Sequence, residues 1–233
     1  MTKLIKNSLG VKPDRKIYLP DVSKQTKKIT HDIFSSKECL KLLQLTENNP
    51  WHKEENVFEH VSHVFANLQI LITFGFVKSE ELKKKYINYF GQSISNTHNF
   101  LRKDLFLISC SLHDIGKIKT LKTLENGTTI STGHELASVV IAKNLLRNVS
   151  FSKEEQGYIY YIIDRHDFFN LDFCNSKLTK NPFKDFTILK KIEPHYALEL
   201  LLHIIADEYG AKITLKWRNY LLYKVIAEYP VFN

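Results

Sequence analysis

The feature that most constrains this chain is a set of helical apolar stripes that start and stop at recognisable caps. In "NVFEHVSHVFANLQIL", Val57, Val61, Val64, Phe65, Leu68 and Leu71 recur at the spacing of one helix face. Asn56, followed three positions on by Glu59, forms a start resembling a capping box, which puts His60 in the first turn. The same logic predicts a short helix over "SSKECLKLLQL", capped by Ser35 or Ser36 and broken by the turn "ENNP", and another over about 78–90. In "HNFLRKDLFLISCSLHDIGK", Leu105, Ile108 and Leu112 lead to His113, with Gly116 as a left-handed stop. "STGHELASVVIAKNLLRN" restarts near Ser131 or Thr132 with His134 in its first turn, and "SKEEQGYIYYIIDRH" has a Ser152 and Glu155 capping box and ends on His166. "EPHYALELLLHIIADEYG" starts at Pro194 and carries Asp207 near its end. The fold class expected is therefore all-α.

One interruption is expected. Asn126 and Gly127 stand between β-prone residues in "TLENGTTIST", a strong hairpin signal, so a small β-hairpin should lie near residues 120–130. Residues 167–192 form a long polar and aromatic connection of the kind often used as a functional lid. The prolines of "GVKPDR" and "YLPD" make residues 1 to about 30 read as turns and extended chain. The organisation expected is an N-terminal arm over 1–30 and a single helical domain over 31–233.

Composition narrows the setting. With 233 residues and 43% hydrophobic content, the chain can bury a real core. Cys39, Cys110 and Cys174 are an odd number at unrelated spacings, which argues against a disulfide framework and a thiolate zinc site. No signal-peptide pattern and no run near the roughly 18 apolar residues of a membrane span are present, so a soluble cytoplasmic protein with no membrane contact is expected. The net charge of +8 sits largely in residues 1–30, where Lys3, Lys6, Lys12, Arg15, Lys16, Lys24, Lys27 and Lys28 face only Asp14 and Asp21. Such an arm suits contact with a polyanion such as RNA or a nucleotide phosphate.

His60, His113, Asp114, His134, His166 and Asp207 share one property: each falls within about a turn of an expected helix end. Helix ends in a bundle can converge on one pocket. Imidazole and carboxylate donors without thiolates suit one or two divalent transition-metal ions (Mn, Fe, Co, Ni or Zn) in a catalytic rather than a structural site. His63, one turn after His60, and His203, four residues before Asp207, are candidates for substrate contact.

In order and spacing, "FEHVSHV", "SLHDIGK", "TGHELAS", "DRHDF" and "IIADEYG" resemble the HD-domain superfamily of metal-dependent phosphohydrolases over about residues 50–210. Carried over residue by residue, the resemblance implies His60, His113, Asp114 and Asp207 as metal ligands. His134 and His166 stand where two-metal members add histidines, and Asp114 would bridge the two ions. "PWHKEENVFEHVSHVF" and "HDIGK" look most like the HD domain of bacterial tRNA nucleotidyltransferases, and "YLPD" is also similar. The transferase half, with its Gly-Ser and paired aspartates, is missing, so a stand-alone hydrolase is implied. The Gly-Tyr-Pro signature of cyclic-di-GMP phosphodiesterases, the "HDxxED" sequence of ppGpp hydrolases and the Gly-His of deoxynucleotide triphosphohydrolases are missing too.

The expectation is hydrolysis of a phosphomonoester or phosphodiester of a nucleotide or RNA end, such as a 2′,3′-cyclic phosphate. A metal-activated hydroxide would attack while Asp114 and Lys117 serve the reaction, Lys117 as a positive contact to phosphoryl oxygens. The alternatives are a di-iron oxygenase on the same scaffold and a catalytically silent nucleotide- or RNA-binding module.

Overall fold

The computed structural model describes residues 22–49, 52, 55–96, 100–167, 190–191, 193 and 195–211. Most of the basic arm, "YLPD", Cys174, Pro194 and nearly all of the 167–192 connection lie outside the described residues. Those that are described form nine α-helices and one two-stranded sheet. An all-α fold with a small hairpin is what the apolar periodicity predicts. No helix among them is long and apolar enough to cross a membrane.

The chain enters through α1 (Lys24–Phe34), α2 (Lys37–Lys41) and a 3-10 turn (Leu42–Gln44). Residues 24–30 are thus helical, contrary to the extended chain expected of the arm. The reason is that α1 buries Thr26, Ile29, Thr30 and Ile33 at helical spacing while Lys24, Lys27 and Lys28 stay exposed. Two threonines on the inner face disguise the stripe. Thr30 Oγ1 donates to the Thr26 carbonyl, so its hydroxyl is buried at no loss of hydrogen bonding.

α3 (Val57–Leu71) begins where expected, with Asn56 accepting from the Glu59 amide. Glu59 reaches back to the Glu55 amide rather than to Asn56. α4 (Glu80–Phe90) and α5 (Arg102–Cys110) follow. α5 stops at Cys110, earlier than expected, so His113 and Asp114 lie in a tight turn before α6 (Lys117–Thr120).

Gly116 is not a left-handed stop: its φ is −66°. Its lack of a side chain matters for another reason, because a Cβ there would meet the His134 carbonyl at 2.1 Å and the Ser138 amide at 2.5 Å. That close approach lets the Gly116 amide donate to Ser138 Oγ and docks the turn onto α7 (His134–Leu145).

Between α6 and α7 stands the hairpin. β1 (Lys122–Thr123) pairs antiparallel with β2 (Thr129–Ile130), in register Lys122 to Ile130 and Thr123 to Thr129. Gly127, at φ +81°, turns the loop. The hairpin also holds a second segment: the Thr129 amide donates to the Asn48 carbonyl, the Asn48 amide to Thr129 Oγ1 and the Asn48 side chain to the Gly127 carbonyl. The "ENN" segment is therefore fastened to the hairpin.

α8 (Lys153–Arg165) carries the expected Ser152 and Glu155 capping box. α9 (Ala197–Gly210) starts three residues later than expected, with Tyr196 at its cap. α9 packs most extensively on α3, and α5 on α8. Gly210 permits the α9 to α3 approach, since a Cβ there would lie 2.5 Å from Val64 Cγ2. Cys39 and Cys110 are buried free thiols, as the spacing implies; burial pushes Cys39 up to about 12.

Gly116→Ala should lower the melting temperature by an amount corresponding to about 3 kcal/mol, because backbone rather than a flexible side chain blocks the new methyl. A thermal melt within 1 °C of wild type would show that the turn is not clamped in this way.

Candidate metal centre

Five helix ends deliver six donors to one place. His60 comes from the first turn of α3, His113 and Asp114 from the turn after α5, His134 from the start of α7, His166 from the cap of α8, and Asp207 from the last turn of α9. Except for Asp207, whose side chain is 17% exposed, all are buried.

Their atoms fall into two groups that share an axis through Asp114. Asp114 Oδ2 lies 3.4 Å from both His60 Nε2 and His113 Nε2, and Asp207 Oδ1 lies 3.0 Å and 3.6 Å from the same two nitrogens. Asp114 Oδ1 turns the other way, 3.2 Å from His134 Nε2 and 3.7 Å from His166 Nε2. His60, His113 and Asp207 form one group able to hold an ion, and Asp114, His134 and His166 form another. His134 also has Glu135 and Asp167 beside it, towards solvent.

The tautomers follow from the backbone. His113 Nδ1 is 2.7 Å from the Cys110 carbonyl, His134 Nδ1 2.9 Å from the Ser131 carbonyl and His166 Nδ1 2.7 Å from the Ile163 carbonyl, the same i−3 contact each time. A carbonyl only accepts, so each Nδ1 carries a proton and each neutral ring presents an Nε2 lone pair. His134 Nε2 and His166 Nε2 then face one another at 3.2 Å. Two opposed lone pairs call for a cation between them or a charge on one ring. His113 Nε2 is buried without a hydrogen bond among the described residues. This donor set fits a divalent transition metal, with backbone carbonyls orienting the rings as metal-binding imidazoles require.

Charges inside the cluster are strongly perturbed. Burial alone would raise Asp114, but Lys117 and His113 hold its carboxyl well below the usual range. Asp207 is likewise pulled well down against its burial, by His113 and His60. His113 loses basicity to burial and regains more from Asp114 and Asp207, so its net shift is upward.

The remaining candidates divide. Lys117 is in the site, 4% exposed, with Nζ 2.9 Å from Asp114 Oδ2 and 2.8 Å from Glu47 Oε2. His203 lies behind the cluster, fully buried, with its ring edge-on to His113 at 4.8 Å and to His166 at 5.4 Å. His63 belongs to neither donor group and has Nε2 3.6 Å from Glu59 on its own helix.

Two site residues escape sequence reasoning. Glu47 belongs to "ENN", which reads only as a turn, and His52 to the segment before α3. His52 Nδ1 is 3.6 Å from Glu47 Oε2, and its ring is edge-on to His60 at 4.9 Å. No cap, apolar stripe or spacing in the sequence singles out either residue.

A group farther off holds α9 in place. Arg102 Nη1 donates to Glu199 Oε1 at 2.8 Å and to Tyr89 Oη at 2.9 Å, and the hydroxyls of Tyr89 and Tyr158 donate to Glu199. Tyr158 is thus part of the core.

His203 generates a pH prediction. Burial first, and then His113 and His166, hold its folded pKa well below 6.5. Below pH ~6.5 the unfolded chain therefore takes up a proton that the folded chain refuses, and stability falls as pH drops. His203→Leu should narrow the loss of melting temperature between pH 7.5 and 5.5. His113, whose shift acts in the opposite sense, is common to both proteins, so equal losses in the two would refute the assignment.

No family model matches the chain, and no curated protein matches it either.

Proposed function

We propose that this protein is a metal-dependent phosphohydrolase that cleaves a phosphomonoester or phosphodiester of a nucleotide or an RNA end, as its likeness in motif order to the HD-domain superfamily implies. The observation that carries this reading is the fork at Asp114: one carboxylate oxygen is turned to His60 and His113, the other to His134 and His166. A single aspartate serving two histidine pairs suits two ions side by side, the arrangement used to steady the attacking and leaving oxygens of an in-line displacement.

His60, His113 and Asp207 would hold one ion, and His134 and His166 the other, with Asp114 common to both. When bound, such ions supply Lewis acidity and lower the pKa of a coordinated water toward about 7. The chain's own residues do the rest. Protons on Nδ1 of His113, His134 and His166 stay with the backbone carbonyls, so the three Nε2 atoms remain donors. Lys117 and His113 keep Asp114 ionised, and His113 and His60 keep Asp207 ionised, against the burial that opposes their charge; the same burial strengthens every charge interaction in the pocket. Lys117 Nζ stands 2.9 Å from Asp114 Oδ2, beside the shared carboxylate.

A nucleotide or RNA substrate is supported by the basic arm, of which Lys24, Lys27 and Lys28 are exposed on α1. Long-range attraction of this kind raises the encounter rate with polyanions and weakens with salt.

The test pairs elemental analysis with hydrolysis of bis-p-nitrophenyl phosphate, 2′,3′-cyclic AMP and a panel of nucleoside phosphates. Wild type should carry a divalent transition metal and hydrolyse at least one of them. Asp114→Ala should lose both, with a fall in rate beyond the roughly 100-fold typical of groups that only orient a ligand. Wild type that holds metal, consumes oxygen and hydrolyses nothing would sink the phosphohydrolase reading in favour of an oxygenase.

A further inference from the structure

Lys117 and the first donor group compete for one atom. Asp114 Oδ2 is 3.4 Å from His60 Nε2 and His113 Nε2, and it also carries the Lys117 ammonium at 2.9 Å. A lysine so placed opposes a divalent cation in two ways: it occupies a ligand oxygen, and it adds positive charge within a few ångströms of the ion.

Glu47 faces this lysine from the other side. Its Oε2 accepts from Lys117 Nζ at 2.8 Å, slightly shorter than the contact to Asp114, and its side chain is only 6% exposed. The residue does not drift there from a loose loop. Asn48, next in sequence, is joined to Thr129 through two backbone contacts and to Gly127 through its side chain, and the Leu45 carbonyl accepts from the Val57 amide at the head of α3. His52 Nδ1, 3.6 Å away, lies on the same carboxylate oxygen. A buried acid fixed by a hairpin and aimed at a buried lysine is a built contact.

We propose that Glu47 is a positioning residue for metal capture: it draws the Lys117 ammonium away from Asp114, leaving that carboxylate's charge to the cation held by His60, His113 and Asp207. The proposal rests on the metal-binding part of the function given above and not on the reaction. Without the Glu47 charge, Lys117 has Asp114 as its remaining carboxylate partner in this contact, and the ammonium settles on the ligand oxygen.

The consequence is a pattern of affinities that a general loss of structure does not produce. Mn²⁺ affinity of the full chain, measured by competition with a chromogenic chelator, should fall roughly tenfold in Glu47→Gln, which keeps the shape and removes the charge. The double variant Glu47→Gln with Lys117→Met should bind Mn²⁺ at least as tightly as wild type, because the competing cation leaves with its partner. Glu47→Gln within twofold of wild type, or a double variant no tighter than Glu47→Gln, overturns the proposal. Should Glu47→Gln fail to fold, Lys117→Met alone decides: tighter Mn²⁺ binding than wild type supports the proposal, and equal or weaker binding overturns it. Affinity is read without turnover, so equal affinities with hydrolysis intact sink the proposal alone. A wild type with no measurable Mn²⁺ affinity sinks it together with the metal centre.

Discussion

A carboxylate taken out of water must be met by partners on both oxygens or it will not stay charged. Asp114, 2% exposed, has the Lys117 ammonium with the His60 and His113 rings at one oxygen and the His134 and His166 rings at the other, and since His134 and His166 present Nε2 lone pairs, a cation or a ring proton has to complete that second side. Removing one side of such a buried arrangement typically costs about 3–5 kcal/mol, since the group left behind is uncompensated. The bundle is accordingly organised around its helix ends rather than its helix middles. The middles supply the apolar core of Val61, Val64, Leu68, Leu105, Ile108, Ile162 and Leu202, which fixes where those ends can go.

Two devices turn this requirement into definite geometry. The first is the absence of side chains at Gly116 and Gly210, where backbone or a packed valine comes within about 2.5 Å of a would-be Cβ; these contacts bring the His113 and Asp114 turn onto α7 and the end of α9 onto α3. The second is the polar tie of Arg102, Tyr89, Tyr158 and Glu199, which links α4, α5, α8 and α9. Its Glu199 precedes Asp207 by about two helical turns, so it sets the height and rotation at which Asp207 reaches His60. Burial of Glu199 alone would raise its pKa, and Arg102 offsets part of that.

Much of this was legible from residue order. Helix caps at Ser36, Asn56 and Ser152 are local chemistry, decided within four residues, and the structure has them where the pattern puts them. The six donors were legible because each sits beside a stop or start signal, and their convergence needed only that helix ends meet. What was not legible is tertiary in origin. α1 hides its inner face behind Thr26 and Thr30, whose hydroxyls bond to the Ser23 cap and to the helix's own carbonyl, so apolarity alone does not mark it. Gly116 reads as a left-handed glycine because its need is set by α7, eighteen residues onward. Glu47 is 67 residues from Asp114, and nothing near "ENN" announces a lysine partner.

The hairpin gives the molecule a division of labour. The donors able to hold an ion are, among the described residues, mounted on the helical bundle, whereas the acid that faces Lys117 is mounted on a loop stitched to two short strands at the periphery. Drift in the strands or in residues 45–49 can therefore change the electrostatic setting of the centre while the ligand set stays untouched. A change among those few peripheral residues acts on Lys117 and Asp114 through charge alone, at a distance from every residue of the two donor groups.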